Sequence, residues 1–393
     1  MHCHRLEISV VRRFLIIAGF ADSLVLFRGA LIKAMVASGL EVHAAAPEIT
    51  TSPLTRAALE RMGVQVHDIP AQRAGTNPLM DILLFWRLFW LMCRVRPNVV
   101  LGYTIKPVIY GTIAAWFVRV PQRFALITGL GYAFTNGRAG ALQKLIRRMY
   151  TFALTRAEKV FFQNPDDLAL FRQFGIVPSS VGAVVVNGSG VDLQRFNQAP
   201  LAVGGIKFLM ICRLLGDKGV REYVSAAQRI RAIFPDAHFA LAGWIDENPD
   251  SIKHAELESW IADEAIEFLG KLDDVRPAIA DCTVYVLPSY REGTPKTVLE
   301  AMSMGRPIIT TDAPGCRETV VDGRNGFLIP AKSVDALVDA MQKFIVDPVL
   351  ASKMGQESRK IAESKYDVHV VNEVMMREMK LLFPTNFEGG THG

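Results

Sequence analysis

The chain has 393 residues, half of them hydrophobic, and its 44 lysines and arginines exceed its 39 aspartates and glutamates by a formal charge of +5. This length supports two domains of ordinary size, each with its own core. The positive excess is too small to indicate nucleic acid, so we predict no nucleic-acid partner. It suits an anionic ligand and an anionic membrane surface.

The cysteines show no pairing and no CxxC spacing, a pattern that predicts reduced thiols in a cytoplasmic protein. No cluster of His, Cys or Asp predicts a metal site. The longest apolar stretch, 82–93, is interrupted by Arg87 and is shorter than the roughly 20 residues of a spanning helix. We therefore expect a soluble or peripheral protein. The five cysteines are Cys3, Cys93, Cys212, Cys282 and Cys316.

The first half of the chain alternates apolar strands with helices. Continuous apolar strands between helices predict a parallel sheet that is covered on both faces. The predicted strands are 14–18, 41–46, 64–68, 98–102, 123–128, 159–163 and 184–186, and the predicted helices are 27–38, 52–62, 79–94, 108–118 and 142–157.

A linker is predicted at 199–205, and the alternation restarts after it. The predicted domains are thus 1–198 and 206–367, followed by a C-terminal helix and tail at 368–393 that returns toward the first domain. In the second half the predicted strands are 207–212, 238–242, 266–268, 284–287 and 307–311, and the predicted helices are 220–233, 255–262, 275–280, one after residue 294, and 334–346.

The most informative stretch, 289–302, reads Ser-Tyr-Arg-Glu-Gly-Thr-Pro-Lys-Thr-Val-Leu-Glu-Ala-Met. Glu292 follows an apolar strand, and Glu300 lies inside the next helix. Thr294 is a favourable N-cap, and Pro295 suits the first helical position. Free N–H groups at the start of this helix then face the carboxyl end of a strand, where open α/β sheets bind phosphates.

Seven residues separate the two glutamates, and the second is followed by Ala-Met and by the run Gly-Arg-Pro-Ile-Ile at 305–309. This pattern resembles the signature of the retaining glycosyltransferases of family 4. Weaker family features occur in order along most of the chain. The resemblance implies the GT-B fold, in which two Rossmann-like, doubly wound parallel-sheet domains face a central cleft that holds the active site. It says almost nothing about which sugar is moved.

The run Ile-Cys-Arg-Leu-Leu-Gly-Asp-Lys-Gly at 211–219 is similar to the family's G-R-L-x-x-x-K-G loop. The resemblance implies that Arg213 and Lys218 hold the diphosphate of a nucleotide-sugar and, with Glu292, form the catalytic set. Cys212 stands where the family usually has a small residue such as glycine. Further expected donor contacts are Gly243, Gly270, Lys271, Gly293, Thr294, Pro295, Lys296 and Glu300, of which Glu300 would bind the ribose and Gly270 and Lys271 the base.

In the first domain the resemblance implies an acceptor site for a polyprenyl-diphosphate-linked saccharide. Lys106 precedes Pro107, which predicts an extended backbone that projects the lysine toward the acceptor. Many family members carry a cleft histidine near Gly129, and this chain has none there. The expected acceptor contacts are Gly19, Arg28, Lys106, Gly129 and Gly131.

The helix at 79–94 carries Trp86 and Trp90 on one face, with arginines between apolar residues, and a basic stretch follows at 143–148. These features favour contact with anionic lipid on the cytoplasmic face of the inner membrane. The alternative is a buried helix with snorkelling arginines.

The predicted reaction is transfer of a hexose or N-acetylhexosamine from a UDP-sugar, without a metal or other cofactor, to a lipid-linked acceptor in cell-surface polysaccharide or glycan assembly. Two alternatives remain open. One is a UDP-N-acetylhexosamine 2-epimerase, which shares the fold and needs no acceptor. The other is a non-catalytic nucleotide- or lipid-binding subunit of an assembly complex.

Overall fold

The structure is a computed structural model that describes residues 11–71, 77–130, 140–202, 204–246 and 248–382. Two compact units are present. The first holds the described residues of Met1–Phe162, Leu168–Val186 and Asn372–Gly393, and the second holds those of Gln163–Asp167 and Asn187–Val371.

The first unit is built on a seven-stranded sheet with the order β3-β2-β1-β4-β5-β6-β7, in which every pair of neighbours is parallel. The predicted doubly wound parallel sheet is therefore confirmed. Its strands are β1 (Arg13–Ile17), β2 (Glu41–Ala46), β3 (Gln65–Asp68), β4 (Val99–Tyr103), β5 (Gln122–Ile127), β6 (Lys159–Phe162) and β7 (Gly182–Val185). The helices of the first half are α1 (Asp22–Leu26), α2 (Gly29–Ala37), α3 (Pro53–Arg61), α4 (Pro78–Val95), a π-helical turn (Pro107–Gly111), α5 (Thr112–Phe117), α6 (Ala141–Leu154) and α7 (Pro165–Gln173).

The second unit has a six-stranded parallel sheet with the corresponding order, β10-β9-β8-β11-β12-β13. Its strands are β8 (Lys207–Arg213), β9 (His238–Trp244), β10 (Glu267–Gly270), β11 (Val284–Leu287), β12 (Ile308–Thr311) and β13 (Gly326–Ile329). Its helices are α8 (Val220–Arg231), α9 (His254–Ala262), α10 (Arg276–Asp281), α11 (Lys296–Ser303), α12 (Val334–Val346) and α13 (Val349–Lys365), with 3-10 turns at Gly216–Lys218 and Arg317–Thr319, and α14 (Val368–Glu378) follows.

Continuous burial of the central strands explains why their sequences do not alternate. All of Phe14, Leu15, Ile16 and Ile17 in β1 are fully buried, because helices cover both faces of the sheet. Successive side chains of a strand point to opposite faces, so Phe14 and Ile16 join one cluster of the core while Leu15 and Ile17 join another. None of the helices within the described ranges has the length and apolar character needed to cross a bilayer.

The structure differs from the sequence prediction in four elements and in the extent of the first unit. Strand β13 and helices α1, α7 and α13 were not predicted. Residues 187–198, assigned from sequence to the first domain, pack in the second unit. There Val191 forms a β-bridge with Asp367, and the Ser303 hydroxyl donates to the carbonyl of Phe196 at 2.6 Å. These contacts join residues far apart in the chain, which local composition does not reveal.

Candidate active site

The candidate site lies in the second unit at the carboxyl ends of β8 and β11, where the strand order reverses. A reversal of this kind separates the loops that follow two adjacent strands and leaves a crevice for a ligand. Arg213 is the last residue of β8, and the loop 288–295 follows β11. The 3-10 turn at Gly216–Lys218 brings the next cation back toward the same edge.

Lys218 and Glu292 form an ion pair at this edge, with 2.7 Å between the lysine Nζ and the glutamate Oε1. Their side chains are 14% and 16% exposed, so the pair is largely removed from bulk water. Burial lowers the pKa of Lys218, but attraction to Glu292 and Asp217 outweighs it, and the net pKa is raised. Lys218 is therefore charged at neutral pH and fixed in position.

Glu300 lies one turn into α11 and is buried, with Lys296 3.3 Å away at the preceding i,i+4 position. Burial raises the pKa of Glu300, and Lys296 opposes that rise. A buried carboxylate with a charged neighbour can accept hydrogen bonds from a ligand hydroxyl.

The predicted cap of this helix is wrong by one residue. Pro295 occupies the N-cap position, and Lys296 is the first helical residue. The Thr294 hydroxyl does not cap the helix, because it donates to the carbonyl of Gln163 at 2.9 Å. A contact with a distant segment has replaced the local one.

Arg213 is held by Asp246, with 2.8 Å between a guanidinium nitrogen and the carboxylate. Gly243 of β9 has φ +155°, and a Cβ there would lie 1.9 Å from the carbonyl oxygen of Cys212. Only glycine fits this approach between β8 and β9. Burial raises the pKa of the Cys212 thiol to about 12, so this departure from the family pattern adds no reactive thiolate.

The exit of β10 brings the predicted base-pocket residues together with an aromatic ring. Gly270 adopts φ +66° and turns the chain. Lys271 then places its Nζ 5.5 Å from the centroid of the Trp244 ring, which is 44% exposed. An exposed ring beside a cation offers a stacking surface for a planar ligand.

The backbone of the signature loop presents two adjacent donors. The Glu292 N–H donates to the Pro314 carbonyl at 2.9 Å. Among the described residues none accepts the N–H of Gly293 or of Thr294. Successive free N–H groups form an anion-binding concavity, and Lys218 adds a fixed positive charge to the same loop.

In the first unit, Gly19 and Arg28 lie near the carboxyl ends of β1 and β4. A Cβ at Gly19 would lie 2.5 Å from the Thr104 hydroxyl, so the two loops approach closely. Arg28 is 2% exposed and packs over the Tyr103 ring at 5.6 Å. Its guanidinium donates no hydrogen bond to the part of the chain that the structure describes. Burial lowers the pKa of Arg28 to about 10.

The extended backbone predicted at Lys106 is wrong. Lys106 has helical angles, φ −66° and ψ −47°, because Pro107 lies in the first turn of a helical segment, where its missing N–H costs no hydrogen bond. Its Nζ lies 2.7 Å from Asp81 of α4, and the Tyr110 hydroxyl donates to the same carboxylate at 3.0 Å. Gly129 follows β5 with open space around it, and Gly131 lies outside the described residues.

Two family models match consecutive parts of the chain. The model described as "Glycosyl transferase 4-like domain" matches residues 27–188, and "Glycosyl transferases group 1" matches residues 205–347. Together they cover most of both units and include every candidate residue of the second. The chain belongs to family 4 of the glycosyltransferases.

Relatives and solved structures agree with this family. The chain is 27% identical over 362 residues to the N,N'-diacetylbacillosaminyl-diphospho-undecaprenol alpha-1,3-N-acetylgalactosaminyltransferase of Campylobacter jejuni, covering 88% of this chain and 92% of that one. It is 25% identical over 301 residues to the UDP-Gal:alpha-D-GlcNAc-diphosphoundecaprenol alpha-1,3-galactosyltransferase of Escherichia coli, covering 73% and 76%. The structure of HepE from Anabaena in complex with UDP and glucose superposes with a TM-score of 0.76 at 17% identity, over 94% of this chain and all of that one. The GT-B fold predicted from sequence is thereby confirmed.

Several residues of this candidate site were not predicted from sequence. Asn164 and Asp167 contact the signature loop although they lie more than 120 positions away. Gly315, at φ +80°, packs against the same loop. One local signal was available, since an Asn-Pro pair that begins two residues after the end of the apolar strand β6 marks a turn at the carboxyl edge of a sheet.

Proposed function

We propose that this family 4 glycosyltransferase moves a hexose or an N-acetylhexosamine, with retention of configuration, from a UDP-sugar to a polyprenyl-diphosphate-linked saccharide. The product would enter cell-surface polysaccharide or lipid-linked glycan biosynthesis. The observation that carries the proposal is the Lys218–Glu292 pair, 2.7 Å apart, beside the free N–H groups of Gly293 and Thr294. The printed activities of the Campylobacter and Escherichia relatives support the lipid-linked acceptor, and that of the Escherichia relative supports a UDP-sugar donor.

Charge stabilisation is the main contribution of the second unit to the reaction. Departure of the diphosphate leaves negative charge on its oxygens, and Lys218, Arg213 and two backbone N–H groups can receive it. Such donors are already oriented before the reaction, so they add little reorganisation cost, and each is worth about 10²–10³ in rate. Glu292 would exchange its contact with Lys218 for a hydroxyl of the donor sugar.

The proposed chemical step needs no protein base. The C1–O bond to the diphosphate breaks, and the acceptor hydroxyl forms a new C1–O bond on the same face of the sugar. The proton of that hydroxyl passes to an oxygen of the departing phosphate, so UDP leaves with it. The protein orients both substrates for this exchange.

We propose that this chemistry needs no divalent cation, because Arg213 and Lys218 supply the positive charge. The test is transfer activity after exhaustive dialysis against EDTA, with Mg²⁺ restored in a parallel sample. Equal activity supports the proposal. A loss that Mg²⁺ reverses contradicts it.

We assign the acceptor to the first unit, near Gly19, Arg28, Lys106 and Gly129. Arg28 supports this assignment because it is a buried cation with no carboxylate partner in the described ranges. An unpaired cation at the start of α2 favours an anionic group such as the acceptor's diphosphate.

A surface of the first unit supports membrane contact on the cytoplasmic side. Helix α4 exposes Leu79, Trp86 and Trp90, and α5 exposes Phe117. The rings of Trp86, Trp90 and Phe117 make edge-to-face contacts with Phe85 and Phe89, with 5.5–5.9 Å between ring centroids. We call this surface the aromatic face. Helix α4 also exposes the cations Arg87 and Arg94, and α6 exposes Lys144 and Arg148. Aromatic rings next to basic side chains suit the interface of an anionic leaflet.

Nucleotide binding tests the donor assignment first. Calorimetric titration with UDP, GDP, ADP and CMP should show a preference for UDP that is weakened in Glu300→Ala and Lys218→Ala. Transfer from a panel of UDP-sugars to undecaprenyl-diphosphate-linked saccharides then tests the reaction. Epimerised donor without acceptor would favour the epimerase, and UDP binding without turnover would favour a binding subunit.

Vesicle co-sedimentation tests the aromatic face. Binding to phosphatidylglycerol vesicles should fall about 30-fold in the Trp86→Ala/Trp90→Ala double variant, since two interfacial side chains of roughly 1 kcal/mol each are lost. Leu54→Ala, which removes a single exposed apolar side chain on α3, is the matched control. Equal binding of all three proteins would contradict the assignment.

A further inference from the structure

Asn164 contacts the signature loop through both hydrogens of its side-chain amide. It is fully buried within the second unit. Its Nδ2 donates to the carbonyl of Glu292 at 3.2 Å and to the carbonyl of Gly293 at 3.1 Å. Its Oδ1 accepts the N–H of Asp167 at 2.8 Å, as an N-cap asparagine does. The side chain therefore has no spare hydrogen-bonding group facing the loop.

The orientation of this amide follows from its partners. Exchanging the oxygen and the nitrogen would bring an oxygen against two carbonyls and an NH₂ group against an N–H. One side chain thus links the start of α7 to two consecutive carbonyls of the loop.

Holding these carbonyls also orients two N–H groups. All peptide bonds of the described chain are trans, so the N–H of each planar peptide unit points opposite to its carbonyl. The peptide units whose carbonyls belong to Glu292 and Gly293 carry the N–H groups of Gly293 and Thr294. These are the two N–H groups for which the described residues supply no acceptor.

Three further contacts restrict the same loop. Arg291 donates to Asp167, and the Thr294 hydroxyl donates to the Gln163 carbonyl at 2.9 Å. A Cβ at Gly315 would lie 2.1 Å from the Glu292 carbonyl oxygen and 2.6 Å from that of Gly293. The carbonyls are therefore enclosed between Asn164 and Gly315 and cannot rotate freely.

We propose that Asn164 is a positioning residue that aims the N–H groups of Gly293 and Thr294 at the second phosphate of the donor's diphosphate. The inference rests on the proposed function, because it specifies how the same loop recognises a diphosphate in preference to a monophosphate. Asn164 itself touches no reacting atom. Its contribution passes through the two peptide units.

Titration with UDP and with UMP, comparing wild type and Asn164→Ser, tests this role. Serine retains the helix cap but is too short to reach both carbonyls. We expect wild type to bind UDP at least about tenfold more tightly than UMP, and the variant to lose most of that ratio while its UMP affinity changes less than about threefold. A purely structural role would leave the ratio unchanged.

Ser333→Ala is the control for lost stability, because it removes the cap of α12, where the Ser333 hydroxyl accepts the Ala336 N–H. It should lower the melting temperature and leave the UDP/UMP ratio unchanged. An unchanged ratio in folded Asn164→Ser overturns the inference and leaves the proposed function standing. Wild type that binds no uridine nucleotide overturns both.

Hydrogen exchange of wild type gives a test that does not depend on folding of a variant. UDP should slow exchange of the Gly293 and Thr294 amides at least about tenfold, and UMP should not. Equal exchange rates with UDP and UMP at saturating concentrations would overturn the inference.

Discussion

The two sheets share one strand order, but the loops at their carboxyl edges carry different charges. In the second unit three cations of the candidate site have a carboxylate partner: Lys218 with Glu292, Lys296 with Glu300, and Arg213 with Asp246. In the first unit Lys106 has Asp81, whereas Arg28 packs against Tyr103 with no carboxylate partner among the described residues.

This difference shows that equal topology does not dictate equal chemistry. Paired ions neutralise each other in the empty site, and each cation can turn to a phosphate when a ligand hydroxyl takes its place at the carboxylate. A buried cation without a partner destabilises the folded protein because the charge is desolvated, and the binding of an anion offsets that cost. The first arrangement suits a diphosphate that arrives and leaves at every turnover, and the second suits an anionic group that completes the site.

The largest effect is expected from Lys218→Ala. The rate of transfer should fall about 10³-fold, because a fixed cation at the departing phosphate is lost. The free energy of unfolding should also fall by about 3 kcal/mol, because Glu292 stays largely buried without its partner. Single-turnover kinetics with a UDP-sugar and urea unfolding measure the two effects.

Lys207→Ala is the matched control at the opposite end of β8. Lys207 pairs with Asp281 in a solvent-exposed geometry, which contributes less than about 1 kcal/mol. Its rate should stay within twofold of wild type. Similar losses of transfer rate in Lys218→Ala and Lys207→Ala would mean that Lys218 acts only through the stability of the fold.

Glu300→Ala should weaken UDP binding by roughly 10- to 100-fold, the value of hydrogen bonds to one charged group. It should also abolish any preference for UDP over 2′-deoxy-UDP, because the ribose hydroxyls lose their acceptor. Titration calorimetry with both nucleotides measures this. Glu258→Ala, on the exposed side of α9, should change neither value. A preserved preference in Glu300→Ala would remove the ribose assignment.

The Arg28→Met variant tests whether Arg28 binds the acceptor or serves only as a residue of the core. An apolar side chain of similar volume should be neutral or stabilising at this buried position, because no hydrogen bond is lost. The KM for the lipid-linked acceptor should rise about tenfold, and the affinity for UDP should not change. Thermal unfolding and steady-state kinetics decide the case. A lower melting temperature with an unchanged acceptor KM would make Arg28 a structural residue.

The smallest effect concerns acid stability and is confined to the first unit. His67 stacks on His43, with 3.0 Å between their ring nitrogens. Burial, with a smaller contribution from His43, lowers the pKa of His67 to about 4. A depressed pKa leaves stability complete above about pH 6.5 and removes it as the pH falls toward 4, because only the unfolded chain binds the proton there.

Replacing this histidine should therefore reduce the acid sensitivity of the protein. The loss of unfolding free energy between pH 7 and pH 5 should shrink by about 1 kcal/mol in His67→Gln, after allowance for partial exposure. The exposed His254→Gln is the control and should leave the loss unchanged. Thermal unfolding at both pH values measures it, and equal losses in all three proteins would contradict the prediction.

Sequence predicted the elements better than the contacts between them. Apolar runs of strand length predicted twelve of the thirteen strands found in the described residues, and the spacing of Glu292 and Glu300 pointed to the candidate site. The predicted cap at Thr294 is wrong because a carbonyl 131 positions away accepts its hydroxyl. The predicted backbone at Lys106 is wrong because the start of a helical segment, rather than the following proline alone, sets its angles.

The sequence by itself determined the alternation of strands and helices, the two-unit architecture and the family, because each depends on patterns within a few tens of residues. The tertiary structure decided which charges meet. Strand order and distances across the sheet decide whether Lys218 contacts Glu292 and whether Asn164 contacts the signature loop. Those distances are set by packing of the whole unit, and no local pattern encodes them.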